Sequence, residues 1–330
     1  MPNVRVSMNV SLWGTQQNYA KSIFAIIGAA LFVLSTNLAS ILSGMKSVAD
    51  LHSHSRYSDG TLSVTELVTL AKSRGVALLA LTDHDELQGM PEAKLAAQQQ
   101  GLQWVSGVEI SAQWAGASVH ILGLRIDADD MALRAALNST RKMRKVRAQQ
   151  MSDSLAEAGI PNVFRGALAY APNPELISRT HFARYLVDTG VCASFGEVFG
   201  RFMKPGKPGY VKQEWLPMTD AISLIHGAGG RAVLAHPGRY EVDPFGGVNS
   251  LLRAFVDAGG DGVEVVCAAH HPSEWAQFGA LARKFGLLAS IGSDFHSHAE
   301  SRVKFGDLPL LSPNLKPVWH DWPEAECLYA

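Results

Sequence analysis

Side chains that can bind metal recur in this chain beside short apolar runs. His52 and His54 follow the run 48–51 and lie two residues apart, so on an extended backbone they share one face. Alone, this stretch fits a polar loop with two unrelated histidines equally well. Other potential ligands also lie in or beside apolar runs. Asp83, His84 and Asp85 follow the run 76–81, Glu109 ends the run 104–109, and His120 lies in the run 119–124. His236 follows the run 232–235, and Asp294 and His296 follow the run 287–293. Since parallel α/β proteins collect their chemistry at strand carboxyl ends, we predict one polynuclear metal centre.

Length, charge and cysteine content exclude several other classes of protein. The 330 residues are enough for one large α/β domain, with or without an insertion. The formal net charge is −1 and the pI about 6.9, so no overall basic field attracts long nucleic acid. Cys192, Cys267 and Cys327 lie far apart without a CxxC pair. This spacing argues against a disulfide framework and against a thiolate metal site.

Residues 1–47 form an apolar extension that we place outside the catalytic fold. No charged residue occurs from Ser22 to Met45, and about 20 apolar residues are long enough to cross a membrane. Three interpretations stay open: an over-extended gene start with Met45 as the initiator, an uncleaved membrane anchor at 22–45, or a secretion signal. The first predicts a cytoplasmic protein, and the second a membrane-anchored one.

From Val48 onward, predicted strands and helices alternate. Ser63 and Glu66 have the spacing of a capping box, and Gly101 is a typical helix stop. The helices are expected at 63–75, 91–100, 219–228, 248–258 and 274–285, and the strands at 76–82, 102–109, 118–126, 231–235, 262–266 and 287–291. The alternation predicts a barrel-like parallel sheet with helices outside, built from residues 48–126 and 216–330.

Residues 127–215 interrupt this alternation because they contain no convincing strand. We therefore predict an inserted helical subdomain there. Helices are expected at 128–159, 176–189 and 195–202, and such insertions often form the mouth of a site. The first helix contains a basic run, which consists of Arg141, Lys142, Arg144, Lys145 and Arg147. This run is either a solvated helix face or a surface that steers a phosphate-rich substrate.

Six spaced motifs resemble those of the PHP (polymerase and histidinol phosphatase) family of metallophosphoesterases. In chain order they are His52-Ser53-His54, Ser58-Asp59-Gly60, Thr82-Asp83-His84-Asp85, Gly107 to Ser111, Ala235 to Gly238, and Gly292 to His296. The resemblance implies an α/β fold, a distorted (β/α)7 TIM-like barrel with a trinuclear metal cluster. Residues 119–124, 179–181 and 206–208 are most similar to the bacterial 3′,5′-nucleoside bisphosphate phosphatases, also described as 5′-to-3′ exoribonucleases (RNase AM).

The resemblance also implies a ligand set for three divalent ions, with one carboxylate shared by two of them. The sets are His52, His54, Glu109 and Asp294 for the first ion, Glu109, His120 and His181 for the second, and Asp59, His84 and His296 for the third. Mixed imidazole and carboxylate ligands suit Mn²⁺, Fe²⁺ or Zn²⁺. Among these we expect Mn²⁺.

The expected chemistry is hydrolysis of a phosphate ester. Adjacent divalent ions lower the pKa of a bound water and neutralise phosphate oxygens, so a metal-bound hydroxide is the expected nucleophile. His236 is expected at the edge of the site, where it contacts phosphate, assists the leaving group, or serves only as a structural histidine. A second substrate phosphate needs cations, for which the candidates are Arg179, Arg184, Lys207 and Arg239.

The activity that the resemblance implies is removal of the 3′-phosphate from nucleoside 3′,5′-bisphosphates to give nucleoside 5′-monophosphates. Exonuclease action from the 5′ end of short RNA stays open beside it. The expected partner is a nucleotide or short oligonucleotide substrate, without a stable nucleic-acid complex. Two alternatives remain: a histidinol-phosphatase-like PHP phosphomonoesterase, and a PHP module that metal stabilises without catalysis.

Overall fold

The apolar runs form one mixed sheet that curves into a nearly closed barrel. The structure is a computed structural model that describes residues 49–328 of the chain. Its strands are β1 (Ala49–Asp50), β2 (Leu78–Leu81), β3 (Gln103–Trp114), β4 (Ala117–Leu124), β5 (Leu216–Pro217), β6 (Arg231–Leu234), β7 (Gly262–Cys267) and β8 (Leu288–Gly292). They follow the order β1-β2-β3-β4-β6-β7-β8, and β5 pairs with β3.

Hydrogen bonds between the two ends of this sheet nearly close the barrel. The Leu51 amide donates to the Ile291 carbonyl at 3.0 Å, and the His54 amide donates to the Phe295 carbonyl at 2.9 Å. The segment that follows β1 therefore lies directly beside the segment that follows β8. The prediction of a distorted TIM-like barrel is confirmed.

One strand departs from the predicted parallel sheet. β4 runs antiparallel to both β3 and β6, because the two-residue turn Ala115-Gly116 joins it to β3. Both turn residues have positive φ, 50° and 90°, and a connection this short permits only an antiparallel pair. The prediction of a parallel sheet was wrong at this strand. The reversal places His120, near the start of β4, at the edge where neighbouring strands end.

The helices cover the outside of the sheet or build the insertion. In chain order they are α1 (Val64–Ser73), α2 (Met90–Gln100), α3 (Met131–Glu157), α4 (Val163–Leu168), α5 (Arg179–Asp188), α6 (Phe195–Val198), α7 (Met218–Gly227), α8 (Gly247–Asp257) and α9 (Pro272–Phe285). The predicted capping box of Ser63 and Glu66 starts α1, and Gly101 ends α2 with a left-handed backbone. Ile225 on α7 and Phe255 on α8 are buried in the same cluster as the strand residues.

The helices between β4 and β5 have a hydrophobic cluster of their own. Leu155 of α3 packs there with Phe182 and Leu186 of α5, and with Phe202 of the π-helical turn Phe199–Met203. The limits of an inserted subdomain at 127–215, between barrel parts 48–126 and 216–330, stay predictions.

Residues 1–47, with the apolar run at 22–45, lie outside the described residues. Among residues 49–328, no helix is both long enough and apolar enough to cross a membrane.

Candidate metal centre

A fully buried carboxylate, that of Glu109 on β3, lies at the middle of the site. Its Oε1 accepts hydrogen bonds from His120 Nδ1 at 2.7 Å and from His236 Nε2 at 2.9 Å. Its Oε2 lies 2.8 Å from His84 Nδ1. The ends or edges of several strands thus supply imidazoles to one anion, as the sequence predicted.

Oε2 of this carboxylate and three other buried atoms form a cage of the size that a metal ion requires. Nε2 of His52 and Nε2 of His54 each lie 3.3–3.4 Å from Glu109 Oε2 and from Asp294 Oδ1. Four atoms spaced in this way leave a centre roughly 2.0–2.3 Å from each of them, close to metal–nitrogen and metal–oxygen bond lengths. All four atoms lack a hydrogen-bond partner among residues 49–328. Such groups are costly to bury unpaired, so the cage fits a bound cation.

Two further groups of ligand atoms adjoin this cage. His84, Glu109 and His120 form one, and His84 with His296, Asp59 and His54 forms the other. In the second group, Asp59 Oδ1 is 3.2 Å from His296 Nε2 and 3.8 Å from His84 Nε2. Glu109 and His84 each belong to two ligand groups, and His54 also contributes to the cage. The site can therefore hold neighbouring ions.

Two histidines occupy positions that differ from the expected ones. His236 is not at the edge of the site, because its ring joins His52, Glu109 and Asp294 in one ligand group. His181, expected beside Glu109 and His120, belongs to no ligand group formed within residues 49–328. Its Nδ1 accepts from the Ser178 amide at 2.9 Å, in the capping box of α5. His84 takes the place beside Glu109 that was predicted for His181.

Glu264 adjoins the candidate metal ligands and was not among the predicted site residues. It is fully buried on β7, with Oε1 3.0 Å from His52 Nδ1, while its Oε2 accepts from the His236 amide at 2.7 Å. A carboxylate behind a ligating imidazole fixes the ring orientation and raises its basicity. A glutamate inside the otherwise apolar strand Gly262–Cys267 was the available signal.

The two aspartates that flank His84 brace loops around the centre. Asp83 accepts from the Ser55 amide at 2.8 Å and from the Ser58 hydroxyl at 2.5 Å, which holds the loop after β1. Asp85 accepts from Arg144 Nε at 2.8 Å. Asp85, like His236 and Asp294, has a left-handed backbone, with φ of 49°, 24° and 50°. Such conformations cost about 1–3 kcal/mol each and cluster at functional sites.

Burial and mutual charge set the protonation of the ligands. Burial lowers the pKa of His84 and of His236 to about 4, so both rings are neutral at pH 7 and free to bind metal. Burial also opposes protonation of His54, but the carboxylates of Asp294 and Glu109, each 3.3 Å from its Nε2, outweigh burial and raise the His54 pKa to about 10. Burial raises the pKa of Glu109 as well, yet the surrounding histidines hold it well below its usual range.

The four predicted phosphate-binding cations do not share one role. Arg179 and Arg239 line a cleft beside the metal centre, and Arg239 Nη1 donates to Asp294 Oδ2 at 2.7 Å. Arg184 is buried, donates to both carboxylate oxygens of Glu300 at 2.8 Å, and also donates to the Asp59 carbonyl. Lys207 is exposed, and the cleft lining found within residues 49–328 does not include it.

The predicted basic run on α3 is divided between the cleft and the solvent. Arg144 and Arg147 line the same cleft as Arg179, whereas Lys142 and Lys145 are exposed. We call this cavity the first cleft; its cations are Arg144, Arg147, Arg179, Lys212 and Arg239, and its aromatic residues are Phe199, Tyr210 and Trp215.

A phosphatase and an exoribonuclease resemble the chain over most of its length. The PHP domain model matches residues 50–205. A 3′,5′-nucleoside bisphosphate phosphatase of Chromobacterium violaceum is 46% identical over 272 residues, 82% of this chain and 95% of the relative. The chain belongs to the PHP family. A second PHP relative, described as a 5′-3′ exoribonuclease of Haemophilus influenzae, is 41% identical over 270 residues, 82% of this chain and 97% of that protein.

Solved structures share the PHP fold seen here. A C. violaceum protein described as an amidohydrolase, with bound sulfate and no metal, has a TM-score of 0.79 and 46% identity, over 83% of this chain and 95% of that one. A Bifidobacterium adolescentis protein described as a metal-dependent phosphoesterase has a TM-score of 0.69 and 27% identity, over 83% and 94%. The predictions of the PHP family and of a metal-dependent phosphoesterase are confirmed.

The shared carboxylate predicts the effect of the substitution Glu109→Gln. The variant should bind metal more than about a hundredfold more weakly, because it loses the carboxylate that belongs to two of the three ligand groups. Metal content after dialysis, measured by inductively coupled plasma mass spectrometry, checks this in protein whose circular dichroism is unchanged. The matched control is Glu157→Gln, at the exposed end of α3. Wild-type metal content in folded Glu109→Gln protein contradicts the assignment.

The raised pKa of His54 predicts that metal uptake depends on pH. With a pKa of about 10, the ring carries a proton at pH 7 that a metal must displace. Binding therefore releases protons, and affinity should rise about tenfold per pH unit for each proton displaced, as long as the pH stays below that pKa. Mn²⁺ titration calorimetry between about pH 6 and 8, in buffers of different ionisation enthalpy, measures both quantities. Uptake without proton release is the opposing result.

Proposed function

We propose that this PHP protein removes the 3′-phosphate of nucleoside 3′,5′-bisphosphates and leaves the nucleoside 5′-monophosphate. The observation that carries the proposal is the first cleft, where several arginines converge directly beside the metal ligands Asp59, His84, His120 and His296. A bisphosphate needs one anion site at the metals and a second within reach, and this arrangement provides both. The 46% identical phosphatase of C. violaceum supports the same choice of substrate.

The electrostatics of the first cleft favour a bound anion. Burial, and then repulsion from Arg179 and Arg144, lower the pKa of Arg147 to about 9. Burial, followed by repulsion from Arg239 and Arg144, also lowers the pKa of Arg179. Cations that destabilise one another gain from an anion placed between them, and guanidinium groups bind phosphate with two parallel hydrogen bonds. We assign the 5′-phosphate to this group.

Aromatic side chains in the same cleft suit the rest of a nucleotide. Phe199 and Tyr210 are partly buried and line the cavity, where their rings can stack on a nucleobase. Trp215 lies under Arg144 and Arg147, whose guanidinium carbons are 5.0 Å and 5.7 Å from its ring centre. This cation–π packing fixes the two arginines toward the cavity. A small amino alcohol phosphate would leave these surfaces without a partner.

We assign three Mn²⁺ ions to the centre, held by overlapping sets of side chains. The first set is His52, His54, Glu109, His236 and Asp294, the second is Glu109 and His120, and the third is Asp59, His84 and His296, so that each imidazole serves one ion. When bound, the ions activate water and neutralise phosphate oxygens. The remaining predicted ligand, His181, keeps a buried Nε2 without a hydrogen-bond partner among residues 49–328.

The chain's own residues orient the substrate and the ligands. Arg239 is held by Asp294 and lines the first cleft, so its remaining N–H groups can bind oxygens of the 3′-phosphate. His236 is neutral at pH 7 because burial lowers its pKa to about 4. A neutral imidazole gives up its one N–H proton poorly, so we assign His236 to metal binding and not to protonation of the leaving 3′-oxygen. Arg184 positions Asp59 through the backbone carbonyl of that residue.

Exonuclease action on short RNA belongs to the same proposal. The bond between phosphorus and a 3′-oxygen is the same in a nucleoside 3′-phosphate and in the first internucleotide linkage of RNA. The H. influenzae relative is described as a 5′-3′ exoribonuclease. A centre that hydrolyses the first bond can therefore hydrolyse the second, provided that the protein leaves room for the continuing strand.

Phosphate release from adenosine 3′,5′-bisphosphate tests the proposed function. We expect Mn²⁺-dependent release with AMP as the product. Arg179→Gln should lower kcat/KM for the bisphosphate about 10- to 100-fold, because a hydrogen bond to a charged group is lost, and should affect adenosine 3′-monophosphate much less. Arg253→Gln, an exposed arginine on α8, is the control. Turnover of histidinol phosphate without turnover of the bisphosphate would overturn the substrate assignment.

A further inference from the structure

A second cavity adjoins the metal centre on the side of α6 and the segment after β8. Its volume is about 300 Å³, at the small end of the range for small-molecule sites. We call it the second cleft; it is lined by Phe195, Ala268, Ala269, Ser301 and Arg302, together with Asp294 and Glu300. Thr180, Phe199, Arg239 and His296 line both clefts. The two cavities therefore meet at the metal centre.

The side chains of the second cleft suit a nucleotide. Arg302 is exposed, and its guanidinium has no ion-pair or hydrogen-bond partner between residues 49 and 328. The buried Ser301 Oγ likewise lacks a hydrogen-bond partner in that part of the chain. Phe195 is partly buried against the hydrophobic cluster of the insertion and also faces this cavity. An aromatic ring beside free cationic and hydroxyl groups is typical of surfaces that bind single-stranded nucleic acid.

The negative charge at this cavity is already neutralised. Glu300 is held by both hydrogen bonds of the Arg184 guanidinium, each 2.8 Å long. Asp294 is held by Arg239 and by the metal ligands around it. The unpaired charge that remains is that of Arg302, so the cavity favours an anionic occupant over a cationic one.

We propose that the second cleft binds the nucleoside that follows the scissile phosphate of a 5′-phosphorylated oligoribonucleotide. This inference rests on the proposed function, because it places the first nucleotide and its 5′-phosphate in the first cleft and the scissile phosphate at the metals. Water adds hydroxide to phosphorus and the bond from phosphorus to the 3′-oxygen breaks. The 3′-oxygen takes the proton, and the shortened strand keeps the phosphate at its new 5′ end. A nucleoside bisphosphate leaves the second cleft empty.

Comparison of the two substrates in variants of the second cleft tests the inference. We expect Arg302→Gln and Phe195→Leu to lower kcat/KM for a 5′-phosphorylated triribonucleotide about tenfold each. For adenosine 3′,5′-bisphosphate, kcat/KM should stay within about twofold of wild type, because Arg302 and Phe195 line the second cleft and not the first cleft, where that substrate is placed. Phe195→Leu keeps an apolar side chain in the cluster and removes only the stacking ring. Arg253→Gln should change neither rate.

Four results would overturn the inference. Equal losses on both substrates in folded variants would mean that the second cleft acts through the metal centre, and no loss on either would mean that the strand leaves by another path. Wild-type protein that hydrolyses the bisphosphate but not the trinucleotide would contradict the inference alone. Wild-type protein that hydrolyses neither in Mn²⁺ would overturn the proposed function with it.

Discussion

The buried carboxylate of Glu109 is the interaction on which the rest of the structure depends. An ionised side chain without solvent is stable only if opposite charge and hydrogen bonds surround it, and here imidazoles from separate strand ends do so. His52 and Asp294 reach it only because the barrel nearly closes, with the Asp294 amide donating to the His52 carbonyl at 2.8 Å. Gly292 permits this approach, since a Cβ there would lie 2.2 Å from the Cβ of His52. Barrel closure and ligand geometry are thus one constraint.

The candidate metal ligands and many of the cleft residues come from different parts of the chain. The barrel strands and the loops after them supply the metal ligands, whereas the segment between β4 and β5 supplies Arg144, Arg179, Phe195 and Phe199 to the two clefts. If the proposed function is correct, substitutions in this segment should change which phosphate ester binds and leave the ligand cage intact.

Much of the fold, and the clustering of most candidate ligands, was predictable from the sequence. Short apolar runs that end in His, Asp or Glu predicted both the strands and their shared edge, and Ser63 and Gly101 marked real helix ends. The antiparallel direction of β4 was also readable, since Ala115-Gly116 is too short a connection for parallel strands. The periodicity of α3 separates Arg144 and Arg147 from Lys142 and Lys145, which divides the basic run as observed.

The remaining features depend on contacts between residues that are far apart in the chain. Glu264 lies 212 residues from His52, with which it forms a hydrogen bond. The apolar sequence of its strand predicts only a buried core strand. Arg184 is neutralised by Glu300, 116 residues away. The residues near Arg184 in the sequence therefore could not show that its charge is already paired. The positions of His181 and His236 could not be predicted for the same reason. His236 lies beside Glu109 and His181 does not, and only the closed barrel decides this.

Anomalous X-ray diffraction from crystals grown with Mn²⁺ tests the central claim most directly. We expect one ion inside the cage of His52, His54 and Asp294 and another beside His120, with one oxygen of Glu109 on each. An anomalous signal that is absent from the cage, with Glu109 still hydrogen-bonded to His120 and His236, would contradict it.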